Sequence, residues 1–219
     1  MTPDLVTAAT KAAETLLSYH VTTGPVAPIP ILTALPHVIV VSYAEMAHDT
    51  GIDRENLLHS FSAENYDAMT LAKEIHGVVK YFVVYNQRLP AYLIQRSLAR
   101  ELGHIVLGHD GTRPEAVRMA EAQTFAYHFL CPRALVKAIQ ESGIRFTTEI
   151  LGNMTGCFER CLAGMRKTPG ICIPAELNRR VRDQFAEYIG EFLSYQAIVA
   201  PSDESALADF GTYMEGYEE

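Results

Sequence analysis

No stretch of this 219-residue chain comes near ~18 uninterrupted apolar residues, so nothing in it reads as a membrane-spanning helix. Met1 to Ala13 lacks a basic segment followed by an apolar run, so no signal peptide is expected and the location reads as cytoplasmic. Cysteine is scarce. The four residues Cys131, Cys157, Cys161 and Cys172 should be reduced thiols in that compartment, which excludes a disulfide framework. Cys157 and Cys161 share a helical face. With Cys172 the only further candidate, the spacing is a poor zinc pattern, and the cysteines are expected as small buried apolar side chains. There is no G-x-S-x-G elbow and no P-loop, so nucleophilic hydrolase and nucleotide-binding readings lack support. Positive charge is short as well. The formal net charge is −8, which argues against a nucleic-acid surface. From Ala197 to Glu219 there is no Lys or Arg, while Asp203, Glu204, Asp209, Glu215, Glu218 and Glu219 carry −6 of that total. This tail is expected to be a solvated, frayed end.

What is present suffices for a packed core: 48% of the residues are hydrophobic and 20% charged. The length suits one domain, taken as residues 1–196, followed by the acidic tail 197–219. No internal repeat is found. Thr2, Pro3 and Asp4 read as a cap, a first-turn proline and a first-turn acid of a helix running to about Tyr19. The proline-rich segment "GPVAPIPILTALP" (24–36) is expected as an extended connection rather than a helix. His37 to Val41 reads as a buried strand, and "SYAEMAHDTG" as a short helix stopped by Gly51. Ala68–Glu74 and Val78–Tyr85 form a hairpin around Ile75-His76-Gly77. Helices follow from Pro90 to Gly108, from Pro114 to before Pro132, and at about 133–142, 147–166 and 174–195. Helix, sheet, then a run of helices indicates an α+β class.

The chemistry concentrates in "RSLARELGHIVLGHDG" (96–111). A zinc peptidase helix reads H-E-x-x-H, because residues four apart lie one above the other and two imidazoles can then reach one ion. The Glu after the first His can take a proton from metal-bound water. Here Glu101 and His104 stand at the base and second-histidine positions, and Arg100 stands where the first histidine would. Downstream, "EAQTFAYHFLCP" (121–132) begins the next pattern. The two motifs together, in this order and spacing, resemble the ImmA/IrrE family of metallopeptidases. Leu98, Ala99, Glu101, Leu102, Gly103, His104, Leu107 and His109 match the first motif. Glu121, Ala122, Phe125, Ala126, Leu130 and Pro132 match the second. The likeness runs from about residue 35 to 135. It implies a zincin-like fold, with a small sheet of about three strands against the active-site helix and a C-terminal run of helices. It also implies zinc at positions 100, 104 and 121, Glu101 as the catalytic base, and a helix-turn-helix repressor of mobile-element or stress genes as substrate.

Only His104 and Glu121 bring ligand chemistry to those three positions. Arg100 stays protonated, has no lone pair to give, and sets a positive charge where a dication would sit. Catalysis is therefore expected to be impaired, the alternative being a pseudopeptidase that holds a protein partner in the old cleft without cutting it. Three arrangements of Arg100 are open at this point. Glu101, His104 and Glu121 could form a carboxylate-rich site as an i, i+3 pair plus one. Arg100 could replace the metal, as a fixed cation beside Glu121 and Glu101. Or it could swing to solvent. His109, five residues past His104, points about 140° away on a continuous helix and is expected in a turn or in contact with a ligand residue. His128 lies on the face of Glu121 but ~10 Å further along the axis, too far to share an ion. Tyr85, Tyr92 and Tyr127 could line a cleft or be core residues with a polar tip. His76 belongs to the hairpin turn, and His20, His37, His48 and His59 show no ligand spacing.

Overall fold

The computed structural model describes residues 2–51, 67–144, 147–156 and 171–199. Expectations for His59, Cys157, Cys161, the second half of the 147–166 helix and the acidic tail beyond Val199 lie outside these residues. By their contacts the chain divides into two compact units, one of residues 27–109 and the other of residues 1–26 with 110–219.

The unit of residues 27–109 opens with a helix, α2 (Pro28–Ala34), numbered in chain order after the N-terminal helix α1 (Leu5–Ser18) of the other unit. Its presence corrects the expectation of an extended connection. Pro28 and Pro30 both fall in the first turn, where the backbone N–H groups have no intrahelical partner and a missing one costs nothing. Strand β1 (Val38–Ser42) follows, then helix α3 (Tyr43–Thr50). Ser42 accepts from the Glu45 N–H while Glu45 accepts from the Ser42 N–H, a reciprocal capping box, and Gly51 ends the helix in the left-handed region. Strands β2 (Ala68–Ile75) and β3 (Val78–Tyr85) pair antiparallel through a two-residue turn in which His76 and Gly77 both have positive φ. β1 adds parallel to β3, giving the order β1-β3-β2. Helix α4 (Ala91–Val106) starts after Pro90 and packs on β2 and β3, burying Leu98, Ala99, Glu101, Leu102 and Gly103. Asp67, at the head of β2, accepts from Arg96 and Ser97 of α4 and so ties strand to helix.

The second unit is helical among its described residues: α1, α5 (Glu115–Leu130), α6 (Arg133–Glu141), α7 (Thr148–Thr155), α8 (Ala175–Gln184) and α9 (Ala186–Val199). α1 is capped by Asp4, whose carboxylate accepts from the Thr7 N–H, so the cap falls two residues later than the Thr2 expected. Its inner face is small (Ala8, Ala9, Ala12 and Ala13), which lets α5 and α8 approach closely. The side-chain amide of Gln184 donates to the carbonyls of Leu16 and Val21 at the end of α1. The single helix expected over 174–195 is two, parted at Phe185, whose ring is fully buried. α7 stops at Gly156 in a left-handed cap. Cys131 is buried, but Cys172 is exposed, so the expectation of buried cysteines fails there: it sits in the turn before α8 rather than on a helix face. Helices and a three-stranded sheet make the α+β class plain. No described helix is long and apolar enough to cross a membrane.

Candidate functional site

Arg100 and Glu101 sit at the middle of α4, where the helix lies against β2. The register of the sheet determines what they meet there. The Asn86 N–H donates to the Asp67 carbonyl, which makes Ala68–Tyr85 a non-hydrogen-bonded pair in the antiparallel ladder. The backbone N–H and C=O of Ala68, and of alternate residues after it, therefore point away from β3. Arg100 donates from Nη2 to that outward Ala68 carbonyl at 2.9 Å. Its Nε and Nη2 also donate to Glu101 Oε1 at 3.1 and 2.9 Å. The other carboxylate oxygen, Oε2, accepts from the Thr70 hydroxyl at 2.9 Å. The side chains of Arg100 and Glu101 are 13% and 6% exposed, which rules out an arginine swung into solvent. Burial pushes the Glu101 carboxyl above its ordinary range, against the opposing pull of the Arg100 charge and the Arg100 and Thr70 hydrogen bonds. Both oxygens of the expected base are thus engaged inside the protein.

His104 lies one turn on, half-buried. Gly108 adopts φ +62°, and around it the His109 N–H bonds the His104 carbonyl while the Gly108 N–H bonds the Ile105 carbonyl. These are the two bonds of a Schellman ending, which folds the chain back over the last turn. The imidazoles meet there: Nδ1 of His109 and Nδ1 of His104 are 2.9 Å apart, one donating and the other accepting, with the rings edge-on. The 140° offset of a continuous helix does not apply, because the helix stops before His109.

Glu121 belongs to the other unit, on the buried face of α5, with its side chain 3% exposed. Arg113 donates from Nη1 and Nη2 to its two oxygens at 2.8 and 2.7 Å, and the Asp4 N–H donates to Oε1 at 2.7 Å. The loop carrying Arg113 is itself fixed. Asp110 accepts from the Thr112 N–H and hydroxyl, and Arg118 donates to the Arg113 carbonyl. One of the arrangements open from the sequence sets Arg100 as a cation beside Glu121 and Glu101. The Glu101 half of that pairing is present, whereas the cation on Glu121 within its unit is Arg113, which no motif marked. His128 is buried two turns beyond Glu121, with Nδ1 lacking a hydrogen-bond partner among the described residues. Burial, reinforced by the charge of Arg133, lowers its pKa to about 4, so it is a neutral core imidazole. Tyr85, Tyr92 and Tyr127 are each half-buried.

Neither unit by itself offers zinc a donor set. Position 100 offers only N–H donors, Glu101 is bound by a guanidinium and a hydroxyl, and Glu121 is bound by a second guanidinium and a backbone N–H. Within each unit, the described residues contain no group of three or more His, Cys, Asp or Glu able to hold a metal. What the arrangement does chemically is neutralise buried carboxylates with fixed cations.

Residues 54–159 match the family model described as Peptidase_M78, IrrE N-terminal-like domain. No curated protein and no solved structure matches the chain.

Proposed function

Because the chain belongs, over residues 54–159, to the Peptidase_M78 family of IrrE N-terminal-like domains, we propose that it is a peptidase relative with impaired zinc chemistry, whose work is to bind a protein partner. The partner class is the one the family resemblance implies, a helix-turn-helix repressor, met in the cytoplasm. The observation that carries this reading is the seat of Arg100. A general base has to be free to take a proton from water, and Glu101 instead accepts from Arg100 through one oxygen and from Thr70 through the other. Metal-bound water has no place to form without a lone pair at position 100.

Binding survives the loss of this chemistry. β2 is the outer strand of the sheet among the described residues, and its register turns the backbone groups of Thr70, Ala72 and Glu74 outward, the arrangement that accepts an extended peptide as an added strand. Arg100 occupies one carbonyl of that edge, at Ala68, and leaves the strand itself intact.

The test is to purify the chain without added zinc, measure its metal content, and incubate it with a repressor of this class. The expected result is substoichiometric zinc, an intact repressor by mass spectrometry, and a complex visible by size-exclusion chromatography. Stoichiometric zinc together with a cleaved product that disappears in Glu101→Gln would overturn the reading.

A further inference from the structure

We propose that the groove between α6 and α8 is a binding site for a small phosphate monoester with an apolar body. Neither sequence motif marks it. It is built within the helical unit alone, and α8 lies beyond the stretch that matches the family.

Both walls follow from helical spacing. Arg133, Lys137 and Glu141 stand four apart on α6 and so share one face. Ala175, Asn178, Arg179 and Arg182 fall at i, i+3, i+4 and i+7 on α8 and share another. These faces, with Cys172 and Ile173 from the segment before α8, bound a groove of about 270 Å³. That is close to the lower end of the ~300–1,000 Å³ usual for small-molecule sites. At ~30 Å³ per water it matches about nine waters, or a ligand of roughly ten non-hydrogen atoms.

Four cations line the groove against one carboxylate. Two of the four have their partners in acids of the two helices. Arg179 bonds Glu176 and Asp183 along α8, and Arg182 reaches across to Glu141, the one acid of α6. The other two, Arg133 and Lys137, are half-buried and one turn apart, where like charges repel. Lys137 makes no ion pair among the described residues. Between the charges the surface is carbon. Ala134 and Ile173 are buried apolar side chains of the same groove, and the aliphatic stems of the cations extend them. A ligand that uses both halves of this lining carries an anionic head between Arg133 and Lys137 and an apolar body against Ala134, Ile173 and Ala175. A phosphate monoester suits the head, because its charge of about −2 at neutral pH meets two cations and its oxygens suit a guanidinium fork. A single carboxylate would balance only one of them.

The experiment uses the full chain with phenyl phosphate as the probe, and inorganic phosphate and benzylamine beside it. Affinity is read by isothermal titration calorimetry and folding by circular dichroism. Occupancy of the groove is read at Cys172, an exposed thiol in its lining, as the rate at which iodoacetamide alkylates the peptide that carries it, followed by mass spectrometry. Phenyl phosphate should bind at one equivalent per chain. At twice its Kd it should slow the alkylation about threefold, in proportion to the chain left unoccupied. Inorganic phosphate, which lacks the body, should bind at least ~10-fold more weakly, since burying a ring contributes more than that factor. Benzylamine, which has the body and the wrong charge, should leave the alkylation rate unchanged. Lys137→Met keeps the stem and removes the charge, and should weaken phenyl phosphate by about tenfold, the scale of one charge-assisted hydrogen bond. Ala175→Phe fills the groove from an exposed position without touching a charge, and should abolish the protection of Cys172. The alkylation readout on the parent chain needs no variant, so it decides the matter even where a substitution fails to fold. An alkylation rate unmoved by saturating phenyl phosphate, an equal affinity for benzylamine or for inorganic phosphate, or a folded Lys137→Met that binds as the parent does would each overturn the proposal.

Discussion

Arg100 and Glu101 are adjacent in sequence, and adjacent helical residues do not normally face each other. They meet here because the arginine curls back to Glu101 Oε1 while reaching the Ala68 carbonyl. The substitution was legible in the sequence as a loss, since a guanidinium cannot ligate a metal. Its new role was half legible, because choosing among carboxylate partners requires knowing which strand the helix lies on. Replacing Arg100 by Met should cost ~3–5 kcal/mol of stability at neutral pH, the usual scale when a buried charge loses its partner. The loss should be smaller at pH 5 than at pH 8, since a stranded Glu101 can take up a proton, and Arg100→Met with Glu101→Leu should recover most of it. Urea midpoints at the two pH values check this. A single-variant loss under ~0.5 kcal/mol would make the pair no better than a surface ion pair. His128 gives a second test. Its folded pKa of about 4 lies below the unfolded value of 6.5. Between those values the unfolded chain holds a proton that the folded chain does not, so stability is full above pH 6.5 and falls as pH drops toward 4, by roughly 3 kcal/mol at most. His128→Leu should flatten the slope of the urea midpoint across that window. An unchanged slope would assign the acid sensitivity to other groups.

At the scale of elements, local chemistry spoke clearly where it was unambiguous and misled where one residue type has two uses. The hairpin turn, the Gly51 stop and the extent of α4 follow from β-branched runs, left-handed glycine and periodic leucines. The proline-rich segment reads as extended because proline breaks helix interiors, yet Pro28 and Pro30 serve equally well in a first turn, and deciding between the two takes the packing of α2 against β1 and α4. Likewise the expected angle of His109 assumed a helix that continues, whereas Gly108 ends it and brings the imidazole back onto His104. A Cβ on Gly108 would meet nothing within 4 Å, so Gly108→Ala should cost only the conformational penalty of a left-handed alanine, ~1–2 kcal/mol, with the His104–His109 hydrogen bond loosened as the cap relaxes. Proton NMR of the two imidazoles alongside thermal melting separates these effects. A fully stable variant with unchanged imidazole signals would show that the cap does not depend on glycine.

For the molecule as a whole, the sequence conveys the α+β class and the family resemblance, while the grouping of the elements comes from their contacts. Within the stretch expected as one domain, 1–196, the contacts gather residues 1–26 with the later helices and residues 27–109 by themselves. That grouping depends on the alanine face of α1 meeting α5 and α8, a pairing across more than a hundred residues that no local pattern announces. It also places Glu101 and His104 in one unit and Glu121 in the other, each carboxylate having a cation within its own unit. Both carboxylates are thus paired with a fixed cation, and what a metal would add to the stability is testable on the intact protein. A ligand that binds only the folded state at about 100 times its Kd adds ~2.7 kcal/mol, and a chain of this size gains ~2–4 °C per kcal/mol, so a resident zinc ion would be visible as a shift of at least ~5 °C. Thermal melts with a chelator, with no addition and with excess zinc should coincide within ~1 °C. A melting temperature that falls by ~5 °C or more on chelation, and returns when zinc is restored, would mean that a metal couples to folding and that the two arginines are not the cations on which these buried carboxylates depend.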